Sequence, residues 1–298
     1  MKLLITGLSG SNGLEVGLSR AVNKELLPIE MKLFPDGESY IRFVKDVRGE
    51  DLIIIQSLYP NQDKKFFELL LAVDTAKDLG CRRVITIIPY LAYTRQDKRF
   101  LDGEAVSIKT LLKTLSFIGV DYLITIDIHK EESLKFFNGN SMNLDPTKLY
   151  VSKLYGVVKN PVIVAPDQGA LDKVVKLSKL LPNSTYVVFK KFRDRVTGSI
   201  RHEFIDVDVL GRDVVIVDDI ISTGGTVANI ASYLRGKGAS NVYVVCSHGL
   251  FVGEALSKIY SSGVSRVYSL NTVPLPVGVE PIDITPLLID VILSLNIT

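Results

Sequence analysis

The 298-residue chain has no tryptophan, only three methionines and only two cysteines. Cys81 and Cys246 form no C-x-x-C pair and show no metal-ligand spacing, so neither a disulfide framework nor a thiolate metal site is expected. No run of about 18 apolar residues exists to span a membrane, and the apolar stretch in Met1–Leu8 is too short for a signal peptide. Neither sign of charge dominates: 35 basic against 33 acidic residues leave a formal +2, too even for a nucleic-acid surface. Low-complexity segments are absent as well. The scarcity of labile residues runs in the direction seen in thermophiles. What remains is a soluble, globular composition, 47% hydrophobic and 23% charged, with length for about two domains and ample core. A cytoplasmic enzyme or regulator, with no nucleic-acid or membrane partner, is the expectation.

Apolar runs recur with helical segments between them: Lys2–Thr6, Leu52–Gln56, Arg83–Ile88, Tyr122–Asp127, Val162–Ala165, Tyr186–Phe189, Val214–Val217, Val242–Cys246 and Val267–Leu270. Strands alternating with helices predict an α/β fold whose sheets are mainly parallel and flanked by helices. The two halves also resemble each other. Leu52-Ile-Ile-Ile-Gln-Ser57 matches Val214-Val-Ile-Val-Asp-Asp219, the next helix ends at Gly80 or Gly238, and Arg83–Ile88 then matches Asn241–Cys246. The offset is 162 residues before the loop and 158 after it, so the loop is what changed length. Chance similarity between two α/β units is the competing explanation. The boundary is placed near Asp145-Pro146, giving domains 1–145 and 146–298. The final segment, Ile284–Leu295, has no counterpart in the first copy and is expected to pack back on the first domain.

The stretch Val214 to Thr226 carries the most chemical information. A buried strand ends in Asp218 and Asp219, where open α/β sheets place ligands. Ser222, Thr223, Gly224, Gly225 and Thr226 then offer backbone N–H groups and hydroxyls to an anion at the start of a helix expected over Val227–Gly236. Two carboxylates beside an anion nest suit a sugar phosphate, with the acids on the ribose hydroxyls and the nest on the phosphate. A turn whose Gly and Ser/Thr serve only geometry and capping is the alternative. The first half has Gln56-Ser57 and Tyr59-Pro-Asn-Gln62 at these places, so one half kept the loop and the other lost it.

Other motifs are weaker singly. Phe34-Pro-Asp-Gly-Glu38 is a turn with an aromatic and two acids at alternating positions, able to stack on a base and accept from its amine, or simply to be a turn. Tyr93-Thr-Arg-Gln-Asp-Lys-Arg99 places Arg95, Gln96 and Asp97 in one loop, where the first two can clamp phosphate oxygens; a solvated charged loop is the other reading. Asp127-Ile-His129 follows a strand, and His129 can ligate a divalent ion or donate to phosphate, a purely structural histidine being the other reading. His202 and His248 are taken as structural. Asp167 in Pro166-Asp-Gln-Gly169 is an oxygen ligand suited to Mg²⁺. Lys190-Lys-Phe-Arg-Asp-Arg195 with Thr197-Gly198 is either a basic hairpin tip or a mobile arm that brings cations to a transferring phosphoryl group.

In order, the patterns Phe-x-Asp-x-Glu, Tyr-x-Arg-Gln-Asp, Asp-x-His, Pro-Asp-x-Gly, Lys-x-Arg and the Asp-Asp loop resemble the ribose-phosphate pyrophosphokinases over essentially the whole chain. The resemblance implies two tandem phosphoribosyltransferase-like (type I) domains. It also implies transfer of a diphosphoryl group from ATP to ribose 5-phosphate with Mg²⁺, in a homo-oligomer whose ATP site is shared between subunits. By the same resemblance, Phe34, Asp36 and Glu38 hold adenine from a neighbouring subunit, Arg95, Gln96 and Asp97 line the ATP site, and His129 and Asp167 belong to the metal–triphosphate region. Asp218, Asp219 and Ser222 to Thr226 take ribose 5-phosphate. Lys191 and Arg193, not Lys190, are the catalytic pair of the arm. Ser222 departs from the Asp of many bacterial and animal members, a variant that looks archaeal in type. A non-catalytic regulatory homologue fits less well, given the Lys191/Arg193 arm and His129. A simple phosphoribosyltransferase would supply one domain and only the last loop.

Overall fold

The computed structural model describes residues 2–193, 200–203 and 207–294, with backbone alone for 190–193 and 200–203. The chain divides into two compact units, Met1–Leu144 and Asp145–Asn271; Thr272–Pro274 and the chain from Ile284 cluster with the first, and Leu275–Asp283 with the second.

In the first unit the elements run β1 (Leu3–Gly7), α1 (Leu14–Ala21), β2 (Glu25–Leu26), β3 (Ile29–Leu33), β4 (Ser39–Phe43), β5 (Asp51–Ile55), α2 (Gln62–Asp78), β6 (Arg83–Ile88), α3 (Ser107–Phe117), β7 (Tyr122–Ile126) and β8 (Asn140–Leu144). Strands β2-β1-β5-β6-β7-β8 form one sheet, parallel throughout. The five residues of β5 are all buried, as a strand covered on both faces requires. On α3 the buried residues are Ile108, Leu111, Leu112 and Leu115, the stripe of an amphipathic helix packed on a sheet.

The second unit repeats the plan: α4 (Thr147–Leu154), β9 (Val162–Ala165), α5 (Leu171–Leu180), β10 (Thr185–Val188), β11 (Lys190–Arg193), β12 (Ile200–Glu203), β13 (Asp213–Ile221), α6 (Gly225–Gly236), β14 (Asn241–Gly249), α7 (Ala255–Ser261), β15 (Arg266–Leu270) and β16 (Val279–Ile282). Its sheet, β10-β9-β13-β14-β15-β16, is again all parallel. The last helix, α8 (Thr285–Ser294), packs on α1 in the first unit. An antiparallel hairpin is inserted at the same place in each unit, β3–β4 before β5 and β11–β12 before β13.

The repetition extends to single hydrogen bonds. Gly49 N donates to Gly80 O and Gly211 N to Gly238 O, each at 2.9 Å. Cys81 N closes α2 on Ala76 O as Ala239 N closes α6 on Leu234 O, the wide bond of a Schellman end, with Gly80 (φ 83°) and Gly238 (φ 89°) in the left-handed region that ending requires. Agreement of strand order, hairpin insertion and helix ends is more than two unrelated α/β units would share.

Several boundaries differ from the sequence expectation. Strand β13 runs on through Asp218 and Asp219 to Ile221, and α6 begins at Gly225 rather than Val227. The strands β2, β3, β4, β8 and β16 are too short or too polar to show as apolar runs; β16 even contains Pro281, which an edge strand tolerates.

Candidate active site

At the carboxyl end of β13 the backbone carries two partly buried carboxylates into a glycine turn. Asp218 Oδ1 accepts from Asp219 N at 2.9 Å, and Asp219 Oδ1 from Ile220 N at 2.8 Å. Burial, followed by the charge and hydrogen bond of Asp219, pushes the Asp218 carboxyl well above the usual carboxylate range. Lys173 on α5 opposes that shift, and Asp167, beyond the end of β9, adds to it. Three carboxylates and one ammonium therefore act on one another at this edge of the sheet. Burial and neighbouring like charge both favour the neutral form of Asp218.

The turn that follows leaves the start of α6 without a side-chain cap. Gly224 caps α6 at φ 72°, and a Cβ there would lie 2.9 Å from Ala255 O and 3.0 Å from Ile259 Cδ1 of α7. Glycine is thus required by both conformation and space. No side chain caps the helix, so the first-turn N–H groups stay available to a ligand. The chain after β14 braces the turn from below: Leu250 N donates to Ile221 O and Val252 N to Ser222 O, both at 2.9 Å. Underneath, burial pushes the Cys246 thiol up to about 12, which leaves it an inert apolar group.

Asp167 accepts from Gly169 N at 2.8 Å and caps the short 3₁₀ turn Gln168–Ala170, so one of its oxygens has a structural task. Lys191 and Arg193 lie on β11, their backbone paired with His202 and Ile200 of β12. Asp194, Arg195, Thr197 and Gly198 lie outside the described residues.

In the first unit, Arg95, Gln96 and Asp97 follow β6, and His129 follows β7, both at the carboxyl edge of adjacent strands. His129 and Arg95 are exposed. Asp127 adopts φ 46°, a conformation that non-glycine residues keep chiefly where function or packing demands it. Phe34-Pro-Asp-Gly-Glu38 is the tip of the β3–β4 hairpin. Phe34 N donates to Glu38 O and Gly37 N to Phe34 O, each at 2.8 Å, and Glu38 N donates to Asp36 Oδ1 at 3.2 Å. Phe34, Asp36 and Glu38 are all exposed, with the Phe34 ring edge-on to Tyr40.

The first unit's counterpart of the Asp-Asp loop is occupied by its own side chains. Gln56 and Ser57, opposite Asp218 and Asp219 in the repeat, are fully buried. Gln56 Oε1 accepts from Gly10 N at 2.6 Å, while its Nε2 donates to Lys65 O at 3.0 Å and to Glu68 Oε2 at 3.1 Å. Ser9 Oγ donates to Glu68 and accepts from Lys65 Nζ.

The proposed metal ligands divide between units, His129 in the first and Asp167 in the second. Among the described residues no three acids, histidines or cysteines cluster to hold a metal alone. Three residues with a place in this geometry escaped the sequence reading. Lys173 and Asp63 are lone charges on helices, and Glu104 stands past the end of its motif; nothing local distinguishes them.

The region described as the N-terminal domain of ribose phosphate pyrophosphokinase matches residues 3–119, and a phosphoribosyl synthetase-associated domain matches residues 203–297. The ribose-phosphate pyrophosphokinase of Sulfurisphaera tokodaii is 41% identical over 286 residues, covering 95% of this chain and 98% of that one. That of Saccharolobus solfataricus is 41% identical over 272 residues, covering 91% and 93%. This chain belongs to the ribose-phosphate pyrophosphokinase family. The phosphoribosylpyrophosphate synthetase of Mycobacterium smegmatis, at 26% identity, matches its fold with a TM-score of 0.90 over 99% of both chains. The fold expected from the sequence, two phosphoribosyltransferase-like α/β domains with parallel sheets flanked by helices, is therefore the fold observed.

Proposed function

We propose that this family member transfers the β,γ-diphosphoryl group of ATP to the C1 hydroxyl of D-ribose 5-phosphate, giving 5-phospho-α-D-ribose 1-diphosphate and AMP. The observation that carries the reading is the end of β13, where Asp218 and Asp219 lie beside an open helix start at Gly224–Thr226. The acids accept from the ribose hydroxyls, and the uncapped N–H groups with Ser222, Thr223 and Thr226 hold the 5-phosphate. The anomeric oxygen attacks the β-phosphorus in line. The bond from that phosphorus to the α,β-bridging oxygen breaks, AMP leaves with the oxygen, and the hydroxyl proton passes to solvent.

Such a transfer asks the protein for positioning and charge neutralisation more than for covalent chemistry. Arg95 is the cation on the nucleotide side, and Lys191 and Arg193 neutralise charge that builds in the transition state. The acid-rich edge formed by Asp167, Asp218 and Asp219 suits hard-cation chemistry; Asp167 and His129 are the proposed Mg²⁺ ligands. Bound Mg²⁺ supplies neutralisation of the phosphate oxygens. The exposed Phe34 tip supports a base site completed by a neighbouring subunit, and hence an oligomer. Ser222 supports assignment to the archaeal-type branch.

Incubation with ATP, ribose 5-phosphate and Mg²⁺ tests the reading. AMP and the diphosphorylated sugar should form in equal amounts. No AMP with any divalent metal or at any temperature would favour a regulatory, non-catalytic role.

A further inference from the structure

The loop after β6 that carries Arg95 and Gln96 owes its shape to a residue outside all the motifs. Glu104 stands at the far end of that loop, just before α3. Its Oε2 accepts from Gln96 Nε2 at 3.2 Å, from Phe100 N at 2.8 Å and from Leu101 N at 3.1 Å. Its main-chain oxygen accepts from Arg99 Nε at 2.9 Å. Four residues of one loop thus converge on Glu104. The near end is held separately: Tyr93, at φ 66°, donates its hydroxyl to Asp63 in the first turn of α2.

An ionised carboxylate only accepts. The Gln96 amide must therefore turn its NH₂ toward Glu104, and the same Nε2 reaches Lys98 O at 3.4 Å. That network fixes an amide orientation which shape alone leaves open. The end of Gln96 left over is its carbonyl oxygen, which repels a phosphate oxygen but accepts from a hydroxyl or an exocyclic amine. A phosphate clamp by Gln96 would need its NH₂ end, which this network engages.

We propose that Glu104 is a positioning residue for the nucleotide: it closes the Arg95–Gln96 loop and leaves Gln96 facing the ligand as an acceptor. The proposal rests on the reading of this loop as the ATP side of the site. Its test is a KM comparison on Glu104→Ala and Glu104→Gln, with circular dichroism to verify folding. Glu104→Ala should raise KM for ATP about tenfold or more, the scale of lost hydrogen bonds to a charged group, with KM for ribose 5-phosphate changing less than about twofold. Glu104→Gln keeps an acceptor for Phe100 N and Leu101 N and should recover most of the loss. Unchanged KM for ATP in both variants, or an equal rise for both substrates, overturns the proposal. Titration calorimetry with α,β-methylene-ATP separates it from the reaction itself. If the wild type forms no AMP, weaker analogue binding by Glu104→Ala still supports the role, and equal binding or none by the wild type overturns it.

Discussion

Glu68→Ala probes how the first unit closes its side-chain-filled site. The Glu68 side chain is buried, with only 2% of the residue exposed, on the same helical stripe as Leu69, Ala72, Val73 and Ala76. Its carboxylate accepts from Gln56 Nε2 and Ser9 Oγ and pairs with Lys64 at 2.8 Å. Lys65, 8% exposed, reaches it through Ser9. Removing the carboxylate leaves a nearly buried ammonium with no compensating charge inside the network. Leaving buried donors and an ammonium without this acceptor costs about 1–3 kcal/mol, which for a unit of this size lowers Tm by roughly 2–12 °C. Burial lowers the Lys65 pKa below its ordinary value, and Glu68 opposes that shift. With a depressed lysine the folded state binds fewer protons than the unfolded one, so stability rises with pH through that window. The deficit of Glu68→Ala should therefore be full at pH 7 and shrink as pH approaches about 10, where Lys65 sheds its charge in both states. Adding Lys65→Met should recover about 1 kcal/mol or more by removing the stranded ammonium. Paired thermal melts of wild type and variants at pH 7 and pH 10 decide it. A deficit under about 0.5 kcal/mol at pH 7, or one that grows with pH, would refute the reasoning.

Asp218→Asn should act in opposite directions on ligand and fold. It removes a carboxylate held among Asp219, Asp167 and apolar neighbours, so the free protein should melt higher while ribose 5-phosphate affinity falls about tenfold or more; calorimetry that finds ATP affinity falling equally would point to general damage or a shared metal. Lys191→Ala and Arg193→Ala should each lower kcat about 10²-fold or more with small changes in KM, and Lys190→Ala much less; normal turnover by Lys191→Ala would remove it from the chemistry. Mixing Phe34→Ala with Lys191→Ala protein should restore part of the wild-type rate if each site is shared between subunits. Activity that stays at the sum of the two, with exchange verified, would show that each chain builds its whole site.

Where the fold is buried, the sequence was legible. Leu52–Ile55 and Val214–Val217 are continuous apolar runs because both faces of the strands are covered, and that pattern has few other causes. The order of the motifs was legible because each acid, amide or glycine follows such a strand. The β3–β4 hairpin was not, since its strand residues are half-buried or exposed apart from Phe43 at the end of β4, with no continuous buried run. Glu104 was invisible for a different reason. Its task depends on three donors that converge only after the loop has folded back on itself, and nothing in Asp102-Gly-Glu104 separates it from a solvated acid.

The two units differ where the proposed sugar-phosphate site lies at one strand end and its counterpart is filled. The 158-residue offset sets Gly225, the first residue of α6, opposite Phe67, yet α2 already begins at Gln62. The first unit's helix thus starts five residues earlier in the repeat. The first helical bond is alike in both, Lys65 N to Asn61 O at 3.0 Å and Ala228 N to Gly224 O at 2.9 Å, so the extra turn moves the open N–H groups of the helix start away from the place they hold in α6. Lys65 and Glu68 then turn inward beneath the loop after β1, where Gly10 approaches so closely that a Cβ would lie 2.2 Å from Ser57 O. Exchange of Asp-Asp for Gln56-Ser57 removes the negative charge that would face a ribose or a cation. A longer helix displaces the open helix start by five residues, and the glycine contact fills the space. Any one of these changes would weaken a sugar-phosphate site; together they convert it into a support for the loop after β6, since Tyr93 of that loop is anchored on Asp63 in the same added turn of α2.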